Sequence, residues 1–115
     1  WLKSQYTNDD GQMICQICEQ EMPFRKRNGE HYFEAVEGVS GEKEFEGCFL
    51  ALCPLCAAKF KEFVKRDSEA MAEFEELVRG AEDLAVPIRL GDEEASVRFV
   101  ETHLRDLRTY LKSTS

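Results

Sequence analysis

An α+β fold is what this sequence predicts, and three observations carry the prediction. Two Cys-x-x-Cys pairs, Cys15-Gln16-Ile17-Cys18 and Cys53-Pro54-Leu55-Cys56, stand 34 residues apart. Extended runs lie between the pairs and again near residues 87–100. Apolar side chains recur at helical spacing after the second pair and at the C-terminal end. With 115 residues, 43% of them hydrophobic, the chain has the size and composition of one folded domain, and wholesale disorder is excluded. The longest apolar run, Phe49 to Ala58, is far short of the ~18–20 residues of a membrane helix. No basic-then-apolar leader opens the chain, so the expectation is a cytoplasmic protein with no membrane partner. A start at Trp1 rather than Met leads us to expect a segment of something longer.

Taken in order, residues 1–12 read as an N-terminal extension. Gln12-Met13-Ile14 is a short extended run that enters a knuckle carrying the first cysteine pair. Tyr32 to Glu37 and Phe45 to Leu52, separated by a turn at Gly38 and Gly41, read as a hairpin. Pro54 sits directly after Cys53, where its missing N–H is harmless as a first helical residue. Leu55, Ala57, Ala58, Phe60, Phe63 and Val64, interleaved with lysines and glutamates, then form an amphipathic helix. Asp67-Ser68 breaks it and caps a second helix with a stripe of Met71, Phe74, Leu77 and Val78, ending at Gly80. Pro87 opens a strand through Leu90, Gly91-Asp92 turns, and Ala95 to Val100 returns with Val97 and Phe99 on one side. Thr102 is the expected cap of a last helix bearing Leu104, Leu107, Tyr110 and Leu111, with 113–115 as a polar tail. Residues 13–66 and 67–112 are expected to pack as one unit.

The cysteine arithmetic points to a metal. Two residues between thiolates let both sulfurs reach one ion from a tight turn, and two such turns complete a tetrahedron of Zn–S bonds near ~2.3 Å. A disulfide framework needs an oxidising compartment and sits poorly with five cysteines. A redox Cys-x-x-Cys explains one pair and not two. Iron–sulfur clusters accept four cysteines, but with different usual spacings. Structural zinc on Cys15, Cys18, Cys53 and Cys56 is the reading, with Cys48 left over as a small buried hydrophobe. Knuckle, hairpin, then a helix carrying the second pair is the treble-clef arrangement.

The block Cys15-Gln-Ile-Cys18, Tyr32-Phe33-Glu34-Ala35 and Leu52-Cys53-Pro54-Leu55-Cys56 resembles the zinc-bearing branch of the HNH endonuclease superfamily. The resemblance covers residues 13–66. In that family paired histidines follow the strand's glutamate, one polarising the attacking water, and a downstream histidine or asparagine helps hold the catalytic metal. Here Val36 and Glu37 stand at the paired positions, and Ala57, Ala58, Lys59, Phe60 and Lys61 follow Cys56. The resemblance therefore implies a scaffold that keeps the zinc and lacks the nuclease centre.

Other candidates carry less. His31 reads as a surface histidine near Glu34 and Glu37 rather than a displaced base, because nothing in sequence partners it. Strand alternation is expected to aim Glu34 and Glu37 in different directions, which weakens any paired-carboxylate chemistry. His103 opens the last helix, where the dipole opposes its positive charge. Arg25-Lys26-Arg27 is the one compact basic run, a candidate contact for nucleic acid or an acidic partner, with a solvated turn the favoured alternative. The formal charge is -8, concentrated beyond residue 66; four thiolates and one Zn²⁺ take it to about -10. That disfavours duplex DNA, since phosphate neutralisation supplies most of that affinity. The expectation is a non-catalytic zinc-stabilised module that contacts protein or other domains of a parent chain. The alternative is a nucleic-acid-binding or residual metal-dependent nuclease domain.

Overall fold

A computed structural model describes residues 1–40 and 45–114, with the side chain of residue 114 left aside. Among the described residues it is an α+β fold of four α-helices and two two-stranded antiparallel sheets. The helices are α1 (Leu2–Tyr6), α2 (Pro54–Phe60), α3 (Ser68–Arg79) and α4 (Glu101–Thr114). The strands are β1 (Glu34–Glu37), β2 (Phe49–Leu52), β3 (Ala85–Leu90) and β4 (Glu93–Arg98). One contiguous apolar core runs from Leu2 and Tyr6 through the strands to Leu111. No helix among the described residues is long and apolar enough to cross a membrane.

The first hairpin is shorter than the runs that predict it. Glu34 pairs with Leu52 and Glu37 with Phe49, while Tyr32 and Phe33 stay outside and Glu46–Cys48 forms a 3₁₀ turn. Gly38 is where the chain needs no side chain, because a Cβ there would lie 2.9 Å from Cγ of Leu50. Gly41, the other expected turn glycine, lies outside the described residues.

Cys53 caps α2, and Pro54 takes the first helical position. The helix continues as a wider π turn over Lys61–Lys65, and the Asp67 side chain accepts from the N–H groups of Glu69 and Ala70 at 3.0 and 3.2 Å to start α3. Met71, Phe74 and Val78 of the α3 stripe are buried, but Leu77 is 38% exposed. Phe60 meets Phe74 edge-on at 5.7 Å across the two helices.

Several sequence expectations are corrected. Pro87 lies inside β3 rather than opening it, opposite Ser96 in a ladder that runs from Ala85–Arg98 to Leu90–Glu93. An edge strand tolerates proline, since the missing N–H faces no partner. Thr102 is a helical residue rather than the cap, as α4 begins at Glu101 and continues to Thr114, into the expected tail. Residues 1–12, read as an extension, contain α1, and its Leu2 and Tyr6 are buried in the core.

What anchors α1 is His103. Its ring is fully buried, with Nδ1 2.6 Å from the Tyr6 hydroxyl and Nε2 2.9 Å from the Gly47 carbonyl. A carbonyl only accepts, so Nε2 carries the proton and Nδ1 accepts from Tyr6. The Val100 N–H donates to the same hydroxyl at 3.3 Å. Burial pushes the imidazole below its ordinary pKa, against a smaller upward pull from the Gly47 carbonyl, and burial pushes the Tyr6 phenol up. The expected cause, a helix dipole, is thus subordinate to desolvation.

Candidate metal centre

The first cysteine pair sits on a closed turn. Glu19 N–H donates to the Cys15 carbonyl at 3.0 Å and Cys15 N–H to the Gln20 carbonyl at 2.9 Å. Closing the loop places Glu19 at φ 59°, the left-handed region that non-glycine residues rarely adopt. The second pair occupies the cap and first turn of α2. Together these elements bring Cys15, Cys18, Cys53 and Cys56 close enough that their sulfurs all lie within 4.8 Å of one another, with Cys18 and Cys53 4.0 Å apart. Four sulfurs around Zn²⁺ at ~2.3 Å would stand about 3.8 Å apart, so this cluster is near the size the ion requires.

The surroundings suit thiolates. Cys15 Sγ accepts from the N–H groups of Ile17 at 3.5 Å and Cys53 at 3.4 Å. Cys53 Sγ accepts from the Cys56 N–H at 3.5 Å. Such bonds orient the sulfurs and stabilise negative charge on them.

Without a cation the thiols of Cys15, Cys18 and Cys56 compete for that charge. A hydrogen bond from the Cys56 thiol holds Cys15 down to about 5, against the upward push of burial. The same bond, followed by burial, raises Cys56. Burial, then the negative charge of Cys15 and Cys53, pushes Cys18 up to about 11. The four cysteines would hold a divalent ion as thiolates, its charge favouring their deprotonated forms. The residues present fit a bound Zn²⁺: Cys15 and Cys56 are buried, Cys53 is half-buried and Cys18 is exposed.

Gln16, which nothing in the sequence distinguishes from an exposed turn residue, supports the knuckle. It is 2% exposed. Its Oε1 accepts from the Ala51 N–H at 2.8 Å and its Nε2 donates to the Arg98 carbonyl at 3.1 Å. Its backbone does likewise, donating to the Ala51 carbonyl at 3.0 Å and accepting from Arg98 N–H at 2.7 Å. One residue thus ties the first cysteine pair to both sheets, at β2 and β4.

The remaining candidates are dispersed. His31, expected on the surface, is buried at 6% exposure, in a turn that pairs it with Arg25. Its Nε2 stands 3.9 Å from a Glu21 oxygen, beyond hydrogen-bond range. Glu34 and Glu37, expected to diverge, are both drawn to one helix: Lys61 reaches Glu34 at 3.0 Å and Lys65 reaches Glu37 at 3.2 Å. Long lysine stems span the difference in strand direction. Cys48 is fully buried. In the basic run all three side chains are exposed; Arg25 donates to the Gly29 and Gly11 carbonyls at 3.1 and 3.3 Å, and Lys26 faces Glu30 at 3.6 Å.

Compared with family models, curated proteins and solved structures, the chain matches none of them.

Proposed function

We propose that this chain is a zinc-stabilised binding module of treble-clef type, an HNH-like scaffold without a nuclease centre, whose partners are proteins or other domains of its own chain. One observation carries the reading: four sulfurs from two distant Cys-x-x-Cys turns within 4.8 Å of one another. The order of parts supports it further, as a knuckle, the β1–β2 hairpin and a helix bearing the second pair follow in sequence. The metal's role there is cohesion, since ~10–16 kcal/mol of zinc-binding energy is available to small zinc modules as folding energy.

The non-catalytic part of the reading rests on side chains. Val36, at a position where the resembled family places a histidine, is 3% exposed and pairs with Leu50. It can neither take a proton nor ligate an ion. Ala57, just past Cys56, is fully buried. Glu34 and Glu37 are neutralised by lysines.

Metal analysis, chelation and a nuclease assay test the proposal together. One equivalent of zinc is expected, with loss of the cooperative thermal transition in a strong chelator and in Cys53→Ser or Cys56→Ser. No Mg²⁺- or Mn²⁺-dependent cleavage of plasmid DNA is expected. A metal-free chain that melts as before overturns the zinc reading. Cleavage that disappears in His31→Ala overturns the non-catalytic one.

A further inference from the structure

A trough of about 960 Å³ runs between α3, the π turn, the knuckle and the β3–β4 hairpin. Ile17, Phe63, Leu77 and Ile88 contribute large apolar side chains to its lining. Phe63 and Leu77 keep 43% and 38% of their surface exposed there. The Phe63 ring lies against the hairpin turn at Gly91, where an added Cβ would come within 3.2 Å of it. Gly91 has φ +69°, so this side of the trough is set by a turn that favours glycine.

The walls are acidic. Five carboxylates and two guanidinium groups line the trough. Both arginines are already engaged, Arg98 with Glu19 at 2.9 Å and Arg89 with Glu94 at 3.5 Å. Asp67 is occupied as the cap of α3. Glu69 and Glu73, one helical turn apart along the α3 wall, have no ion pair among the described residues. Apolar side chains sharing one trough with two unneutralised carboxylates spaced ~6 Å along an axis complement a segment with apolar anchors on one side and cations beside them.

We propose that this trough is the docking site for a cationic amphipathic segment of a partner protein, its apolar side chains on Phe63, Leu77 and Ile88 and its lysines or arginines against Glu69 and Glu73. The proposal deepens the binding-module reading above and rests on it. Charge opposition steers such a segment into place and gives the contact its salt dependence.

The test uses the zinc-loaded full chain and a fluorescein-labelled peptide of about 15 residues, built from Leu-Lys-Lys-Leu repeats so that its leucines share one helical face. Anisotropy gives the affinity, and ¹H–¹⁵N shift changes give the location. Saturable binding is expected, with shift changes clustered on α3, the π turn and the hairpin. E69Q/E73Q is expected to weaken it about fivefold and Leu77→Ser by a similar factor. Neutralising the exposed pair Asp9 and Asp10, away from the trough, is expected to change it less than about twofold. A matched Leu-Glu-Glu-Leu peptide is expected not to bind. Shift changes spread over the whole acidic surface, equal weakening by the two neutralised pairs, or no binding to a folded, zinc-replete chain would overturn the docking site while leaving the metal centre standing. Sedimentation showing self-association that Leu77→Ser abolishes would overturn it in favour of a second copy. A chain that folds without zinc fails the earlier reading first, and the metal analysis detects that separately.

Discussion

Replacing Gln16 with alanine tests how the metal knuckle is held. The substitution removes two buried hydrogen bonds, from Ala51 N–H at 2.8 Å and to the Arg98 carbonyl at 3.1 Å. Ala51 is fully buried, so its N–H is left without water or protein partner, costing ~1–3 kcal/mol. Losing the bond to Arg98 adds ~0.5–1.5 kcal/mol. The total is about 1.5–4.5 kcal/mol, which for a domain of this size lowers the melting temperature by roughly 6–20 °C. Because Gln16 lies between two of the proposed ligands, its loss is also expected to loosen the first cysteine pair and to lower zinc affinity about tenfold or more. Thermal circular dichroism on zinc-loaded protein reads the first effect, and competition with a chromophoric chelator reads the second. Gln20→Ala, an exposed neighbour in the same turn, serves as the control and should cost under ~0.5 kcal/mol. A Gln16→Ala protein melting within about 2 °C of the parent would refute the claim that this side chain anchors the knuckle.

Three further outcomes are expected. Tyr6→Phe leaves the buried Nδ1 of His103 without its donor and should cost ~1–3 kcal/mol in urea unfolding, an effect absent if α1 does not pack in solution. The lowered pKa of His103 means that below about pH 6.5 the unfolded chain binds a proton that the folded chain refuses. Stability from this group is therefore present above that pH and lost as pH falls. The melting temperature of His103→Gln should show a shallower decline between pH 7 and 5.5 than that of the parent, and parallel declines would show that the histidine does not contribute. Lys61→Ala, which removes an exposed pair with Glu34 at 3.0 Å, should change stability by less than ~1 kcal/mol and less still at high salt.

Local spacing made the ligand pairs visible: two residues between cysteines are a short-range property, as are Pro54 after Cys53 and the Asp67 cap, and each stands where pattern alone puts it. The helical stripe of α3 and the alternation of Val97 and Phe99 are equally local, because 3.6- and 2-residue periods are written along one element. Three features belong to the tertiary structure. Gln16 is a polar side chain in a stretch that looks solvated, and its partners Ala51 and Arg98 come from 35 and 82 residues away. The Tyr6–His103–Gly47 chain joins residues 97 and 56 positions apart, beyond the reach of any periodic pattern. The acidic trough likewise exists only once α3, the knuckle and the second hairpin are brought together. Ligand spacing is local, whereas burial and partnership depend on which distant surfaces meet, and that is a property of the packed chain.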